Sequence, residues 1–155
     1  SGGVRNVKGE LLRPTEYEEP TMDGNKRRGM STNFGIWWDG DLLRELLDHE
    51  KVQKYDWKTG KVNVIKRFDG RFNNGTKSNP CLSGDILGDW REEVLVRDAE
   101  STMLKLYTTD IPTDHRITCL MQDVPYRLSV ATENVAYNQP PEPGFYLGVG
   151  MKKKK

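Results

Sequence analysis

The sequence predicts an all-β fold that forms part of a β-propeller. Two acidic stretches with one spacing are the main reason: residues 37–45 (WWDGDLLRE) and residues 85–93 (DILGDWREE) superimpose at an offset of 48 residues, measured from Glu45 to Glu93. Each stretch leads into an apolar segment, as a loop leads into a strand. The chain is also rich in turn residues, with 15 Gly and 8 Pro. An acidic loop and a strand that recur at this period are typical of propeller blades.

The strands are predicted from short apolar segments with turn residues between them. Residues 4–12 predict a hairpin that turns at Lys8-Gly9, and residues 13–28, rich in Pro, Glu, Gly and Lys, predict a loop. Residues 115–123 fit either a short helix or a strand. The other predicted strands are residues 33–38, 42–47, 52–57, 61–68, 93–97, 103–108, 126–131 and 145–149.

The length limits how much of a propeller the chain contains. A blade takes about 40–50 residues and a closed ring needs at least four blades, so 155 residues correspond to about three blades. Either the chain is a piece of a larger protein or the repeat is misinterpreted. The predicted organisation is an N-terminal hairpin and loop of a partial blade at residues 1–33, propeller blades at residues 34–151, and a basic tail at residues 152–155.

Charge and hydropathy exclude two classes of partner. The net charge is +1, so no overall field favours nucleic acid or an acidic membrane. No apolar stretch approaches the roughly 18–20 residues of a membrane span. We therefore expect neither a nucleic acid nor a membrane as a partner. Cys81 and Cys119 fit a disulfide or two reduced buried thiols equally well.

The repeated acidic loops predict calcium as a cofactor. A loop that turns carboxylates and carbonyls inward at alternate positions supplies the oxygen ligands that calcium prefers. Trp37 stands in the first loop where the second has its first acid. The alternative for both loops is a solvated acidic turn. The predicted ligands are the side chains of Asp39, Asp41 and Glu45 in the first loop, and the side chains of Asp85, Asp89 and Glu93 with the carbonyls of Leu87 and Arg91 in the second.

Five segments of the chain resemble rhamnogalacturonan lyases of polysaccharide lyase family eleven. They are residues 34–48 (FGIWWDGDLLRELLD), 78–93 (SNPCLSGDILGDWREE), 107–116 (YTTDIPTDHR), 126–130 (YRLSV) and 134–141 (NVAYNQPP). Residues 1–33 match more weakly. The resemblance implies an eight-bladed propeller that carries calcium ions, of which this chain would form the C-terminal portion. The other blades would lie upstream in the same parent protein or belong to a complementary chain.

The resemblance also implies an activity. The family cleaves the backbone of rhamnogalacturonan I, a pectic polysaccharide of alternating rhamnose and galacturonic acid, by calcium-assisted β-elimination at the galacturonate. Such an elimination requires neutralisation of the uronate carboxylate, a base for the C5 proton, and a partner for the leaving oxygen. A pectic substrate and a calcium requirement imply a secreted or periplasmic protein.

The loop around Lys77 is the candidate catalytic site. The family has an Asn-Gly-Thr-Lys segment in its cleft, and it matches Asn74, Gly75, Thr76 and Lys77. The resemblance assigns catalysis to Lys77 and substrate binding to the other three, since short amide and hydroxyl groups suit a sugar. It implies a catalytic arginine upstream of this chain. The alternative is a plain hairpin tip. The resemblance also associates calcium with the side chains of Asn134 and Asn138 and the carbonyl of Ala136.

Two other functions share some of these features. A non-catalytic, calcium-stabilised carbohydrate-binding propeller fragment would bind sugar with the same loops, but it needs neither Lys77 nor an arginine. An integrin-like calcium propeller for adhesion would share the acidic loops without requiring the Asn-Gly-Thr-Lys segment. The sequence therefore favours the lyase, because the resemblance includes that segment.

Overall fold

The chain is mostly antiparallel β-sheet. The computed structural model describes residues 3–14, 18–20, 26–28, 32–74, 77–135 and 137–151, and within these ranges it contains eleven strands in four separate sheets and one α-helix. The strands are β1 (Gly3–Arg5), β2 (Leu11–Pro14), β3 (Glu18–Pro20), β4 (Lys26–Arg28), β5 (Phe34–Ile36), β6 (Glu45–Asp48), β7 (Lys51–Asp56), β8 (Lys61–Arg67), β9 (Leu82–Gly84), β10 (Glu93–Arg97) and β11 (Leu104–Tyr107).

Two hairpins form the N-terminal part. The predicted hairpin is confirmed: β1 pairs with β2, and Gly9 has the positive φ of +82° that its turn requires. The predicted loop at residues 13–28 is wrong in part, because β3 pairs with β4 inside it. Three-residue strands are too short to show an alternating apolar pattern. The basic tail predicted at residues 152–155 lies outside the described residues.

A four-stranded meander, β5-β6-β7-β8, follows. Its second strand begins at Glu45 and not at residue 42, because the backbone before it is held in turns: Asp39 Oδ1 accepts from the amide of Asp41, and Asp41 Oδ1 accepts from the amide of Leu43. The predicted hairpin at Lys58-Thr59-Gly60 is confirmed as the link between β7 and β8. The first acidic loop thus connects two paired strands.

A three-stranded sheet in the order β11-β10-β9 contains the second acidic loop between β9 and β10. The two larger sheets share one apolar core, with contributions from β5, β6, β7 and β10. Its buried members are Phe34, Ile36, Trp38, Leu47, Val52, Phe68, Phe72, Val94 and Val96. Because both sheets contribute side chains to this core, neither sheet could bury its apolar residues without the other.

The C-terminal part contains the α-helix, α1 (Val124–Thr132), after a 3-10 turn at Leu120–Gln122. The predicted strand at residues 126–131 is therefore wrong. Asp123 caps the helix by accepting from the amide of Tyr126, and a proline stands in the first turn; both signals outweigh the apolar alternation. The strand predicted at residues 145–149 is also wrong, since this segment forms turns. Within the described residues, no helix combines the length and apolar character needed to cross a membrane.

Candidate functional site

The first acidic loop encloses the side chain of Lys54, which extends from β7. Its Nζ lies 2.7 Å from one oxygen of each of Asp39, Asp41 and Glu45. One oxygen from each carboxylate lies within 4.8 Å of the others, so the three residues could hold a metal ion. The structure therefore brings together all the predicted side-chain ligands of this loop and adds a lysine that the sequence pattern did not indicate.

Burial and ion pairing oppose each other in this cluster. Burial raises the pKa of the Glu45 carboxyl above its ordinary value, and the hydrogen bond from Lys54 acts against this. Burial alone would lower the pKa of Lys54, but its hydrogen bonds to Asp39, Asp41 and Glu45 raise it above the ordinary value. The ammonium of Lys54 is therefore charged at neutral pH.

The second acidic loop repeats the backbone contacts of the first. Oε2 of Glu93 accepts from the amides of Ile86 and Leu87, both at 2.9 Å. The hydroxyl of Thr108 donates to Oε1 of Glu93 at 3.1 Å. Burial raises the pKa of Glu93. The second loop thus has a neutral hydroxyl where the first has an ammonium.

The predicted ligands of the second loop are less closely grouped. Among the described residues, the carboxylates of Asp85, Asp89 and Glu93 do not form a group of the compactness seen in the first loop. Asp89 pairs with the guanidinium of Arg91, and Oδ2 of Asp85 accepts from the amide of Leu120 at 2.6 Å. Ligation by these side chains and by the carbonyls of Leu87 and Arg91 stays a prediction.

Asn74 and Lys77 lie in the chain between two bridged residues. Asn73 and Asn79 exchange backbone hydrogen bonds of 2.7 and 3.2 Å, and Asn74 has a left-handed φ of +54°. The carbonyl of Lys77 accepts from the side chain of Asn33 at 2.5 Å. The predicted substrate ligands Gly75 and Thr76 lie outside the described residues.

The same loop meets the turn after α1. Nδ2 of Asn74 donates to Oδ1 of Asn138 at 3.4 Å, and Nζ of Lys77 lies 6.0 Å from the ring centre of Tyr137. Tyr137 is 78% exposed. Among the described residues, no carboxylate pairs with Lys77. The structure therefore places a lysine, two amides and an exposed tyrosine on one surface.

A set of asparagine amides adjoins this surface. Oδ1 of Asn134 accepts from Asn79 at 2.5 Å and from Asn138 at 2.8 Å, and Nδ2 of Asn134 donates to the carbonyl of Cys81. Oδ1 of Asn79 is buried and has no hydrogen-bond partner among the described residues. This oxygen is available to a further ligand at the turn. Ala136, whose carbonyl was predicted as a calcium ligand, lies outside the described residues.

Buried polar residues that the sequence reasoning missed connect the two acidic loops. Oε2 of Glu92 accepts from the amide of Trp37 at 2.9 Å, and Oε1 accepts from the hydroxyl of Tyr126 at 2.6 Å. That hydroxyl in turn accepts from the amide of Asp85 at 3.0 Å. Burial raises the pKa of Glu92, and Arg44 opposes this shift. Arg44 lies 48 residues, or one repeat, before Glu92. The change from a basic to an acidic residue at this repeat position is the sequence signal that could have identified the pair.

A second buried carboxyl that the sequence reasoning missed, Glu133, connects the end of α1 to β9. Glu133 accepts from the amide and the hydroxyl of Ser83, at 2.8 and 2.7 Å. Burial raises the pKa of Glu133 to about 7, although the hydrogen bonds from Ser83 act in the opposite direction. No local pattern in the sequence links these two residues.

The fold and the site define a mostly antiparallel β protein with repeated acidic loops and a polar surface around Lys77. Residues 13–155 match the family described as rhamnogalacturonan lyase family 11, C-terminal domain. The chain therefore belongs to rhamnogalacturonan lyase family 11.

Two curated relatives from Bacillus subtilis (strain 168) are similar to it. The rhamnogalacturonan endolyase YesW is 55% identical over 122 residues, which are 78% of this chain and 20% of the relative. The rhamnogalacturonan exolyase YesX is 51% identical over 132 residues, which are 79% of this chain and 22% of the relative. The chain spans about a fifth of the length of these relatives.

Solved structures agree with this assignment. The crystal structure of YesW has a TM-score of 0.82 at 45% identity and covers 99% of this chain and 24% of its own. The family 11 rhamnogalacturonan lyase of Bacillus licheniformis has a TM-score of 0.78 at 51% identity, with 85% and 23% covered. The arrangement of the strands described above is thus shared with larger family members.

Proposed function

We propose that this chain is the C-terminal part of a rhamnogalacturonan lyase that cleaves the rhamnose–galacturonate backbone of rhamnogalacturonan I pectin by calcium-assisted β-elimination. The single observation that carries the proposal is the contact between two distant segments: Asn74 and Lys77 meet Tyr137 and Asn138 on one surface. The names of the relatives, a rhamnogalacturonan endolyase and an exolyase, support the substrate.

Each residue of the surface has a role in the proposed reaction. Lys77, as a neutral amine, would accept the C5 proton of the galacturonate, and no carboxylate pairs with it among the described residues. The C4–O bond would then break as the C4–C5 double bond forms, and the departing rhamnose oxygen would take a proton from solvent. Asn74 and Asn138, together with Gly75 and Thr76, would hydrogen-bond the sugar hydroxyls. The exposed ring of Tyr137 offers an apolar face to a sugar ring. The family's arginine, upstream of this chain, would complete the site.

Calcium would be held next to this surface. Bound there, calcium would neutralise the galacturonate carboxylate and so make the adjacent proton easier to remove. Asn134, Asn138 and the carbonyl of Ala136 are the proposed ligands. The buried Oδ1 of Asn79, which has no hydrogen-bond partner in the described part of the chain, supports the fit, because neutral amide oxygens are ligands that calcium accepts. This chain would contribute the hydrogen-bonded asparagine amides to the calcium site.

The family membership also supports a proposal for the architecture of the whole protein. We infer an eight-bladed propeller, of which this chain would form about three blades, with the other blades upstream in the same parent or on a complementary chain. The shared core of the two larger sheets and their antiparallel meanders support blades of this kind. A pectic substrate outside the cell would require a secreted or periplasmic protein.

A chimera tests the proposal. This chain replaces the matching C-terminal segment of the endolyase YesW, and the ultraviolet absorbance of the unsaturated uronide is followed with rhamnogalacturonan I and calcium. We expect activity that Lys77→Ala abolishes and that Lys58→Ala, at the exposed β7–β8 turn, leaves unchanged. A folded chimera that retains its rate with Lys77→Ala would exclude Lys77 as the base. A folded chimera that binds the polysaccharide without cleaving it would favour the carbohydrate-binding function.

A further inference from the structure

The first acidic loop satisfies its carboxylates in two different ways. One oxygen of each is used on the loop backbone: Oδ1 of Asp39, Oδ1 of Asp41 and Oε2 of Glu45 accept amide hydrogens. The other oxygen of each lies 2.7 Å from Nζ of Lys54. The oxygens that remain for a cation after the loop has folded are thus the three that the lysine contacts.

The ammonium matches this position in chemistry and in number. Lys54 has three N–H donors, and three carboxylate oxygens receive them. A calcium ion would need the same oxygens at about 2.3–2.6 Å. It would then lie within roughly 3 Å of a second positive charge, where the repulsion between them is strong. Occupancy by the ammonium and by calcium is therefore mutually exclusive.

The second loop shows what the position looks like without a lysine. Lys54 lies opposite Glu45 across β6 and β7, since Leu46 pairs with Gln53 in the next step of the register. In the second sheet Val94 pairs with Tyr107, which places Thr108 opposite Glu93. The two loops therefore differ at one equivalent cross-strand position, which is cationic in the first and neutral in the second.

We propose that the ammonium of Lys54 is the resident cation of the first acidic loop and that this loop does not bind calcium. Because the lysine is part of β7, the loop is ordered at any calcium concentration, and a chelator does not loosen it. On this proposal, the position that the sequence predicts for calcium at Asp39, Asp41 and Glu45 holds a covalently attached ammonium instead.

Calcium stoichiometry measured by isothermal titration calorimetry on this chain tests the proposal. Lys54→Thr introduces the residue that lies opposite Glu93 in the second loop. It is expected to add one bound calcium per chain to the number that the wild type binds. Asp41→Asn keeps the oxygen that accepts from Leu43 and is expected to leave the wild-type number unchanged. Lys58→Thr, an exposed lysine on the same hairpin, serves as the matched control and should add no site. The readout does not require catalytic activity.

Two outcomes would overturn the proposal. One is a wild-type chain that loses one calcium on Asp41→Asn; the other is a Lys54→Thr chain that gains none. If Lys54→Thr does not fold without calcium, Lys54→Met, which keeps the length of the side chain, provides the second variant. Its unfolding temperature should rise with calcium by more than that of the wild type, and an equal rise in both proteins would contradict the exchange of cations.

Discussion

Glu45 and Glu93 occupy equivalent positions and make equivalent contacts. Each uses Oε2 to accept from the amides seven and six residues before it, Trp38 and Asp39 for Glu45 and Ile86 and Leu87 for Glu93. Each uses Oε1 to accept from a side chain across the sheet: Lys54 on β7 for Glu45, and Thr108, directly after β11, for Glu93. The 48-residue repeat of the sequence is thus a repeat of hydrogen bonds, in which a buried carboxylate closes the loop that precedes its strand.

Removal of the Glu93 carboxylate should destabilise the chain. Glu93→Ala leaves the amide of Leu87 without its acceptor, whereas the amide of Ile86 still donates to the carbonyl of Gly84. An unsatisfied group costs about 1–3 kcal/mol, so we expect a loss of that size in the free energy of unfolding. Glu93→Gln keeps an acceptor oxygen and should lose less. Urea unfolding measures both. Glu100→Ala, at an exposed turn, is the control, and a loss from it as large as from Glu93→Ala would contradict the prediction.

The hydroxyl of Tyr126 should contribute to stability independently of the ring. It donates to Glu92 and accepts from the amide of Asp85, so Tyr126→Phe leaves both groups unsatisfied and should lower the free energy of unfolding by about 1–3 kcal/mol. Tyr137→Phe removes a hydroxyl from an exposed ring and should cost almost nothing. Equal effects of the two substitutions in thermal unfolding would show that the link through Tyr126 is unimportant.

Glu133 should make the chain less stable as the pH rises. Its pKa is raised from 4.5 to about 7, so the folded state favours the protonated carboxyl. The stabilisation is fully present below pH 4.5 and is lost as the pH rises through about 7. The shift corresponds to roughly 3 kcal/mol.

The comparison with Glu133→Gln isolates this effect. The amide stays neutral, so the stability of the variant between pH 4.5 and 7 should fall less steeply than that of the wild type. Urea unfolding at several pH values measures the two slopes. Glu100→Gln should retain the wild-type slope, because that carboxyl is exposed. A Glu133→Gln profile parallel to the wild type would assign the pH dependence to other carboxyls.

The ring of Tyr137 should affect binding more than turnover in the YesW chimera. Loss of an exposed aromatic contact of about 1 kcal/mol corresponds to a roughly fivefold weaker interaction, so Tyr137→Ala should raise KM about fivefold with a smaller change in kcat. Tyr137→Phe retains the ring and should behave as the parent. A selective loss of kcat would instead indicate that the tyrosine acts on the reacting atoms.

The acidic spacing and the two central hairpins were predictable because their signals are local. Asp39, Asp41 and Glu45 lie within seven residues, and Lys58-Thr59-Gly60 is a turn in its own right. Lys54 was not predictable from the acidic motif, because its place in the cluster depends on the register of β6 and β7. Segment 126–131 was misinterpreted as a strand because its apolar alternation masked the helix start at Asp123 and Pro125.

The site surface was predicted only in part. Asn74 and Lys77 were identified from a continuous segment, but the approach of Tyr137 depends on how α1 returns toward β9. The side chain of Glu133 and the hydroxyl of Tyr126 fix that return, and both act over more than 30 residues. Contacts at such separations leave no periodicity in the sequence.

The exchange of hydrogen bonds between Glu92 and Trp37 determines where the protein can be divided. The amide of Glu92 donates to the carbonyl of Trp37, and its carboxylate accepts from the amide of Trp37. A swap of modules between homologues that cuts between residues 57 and 81 would pair a buried acid from one parent with a foreign backbone from the other. The two acidic repeats should therefore be exchanged together as one unit.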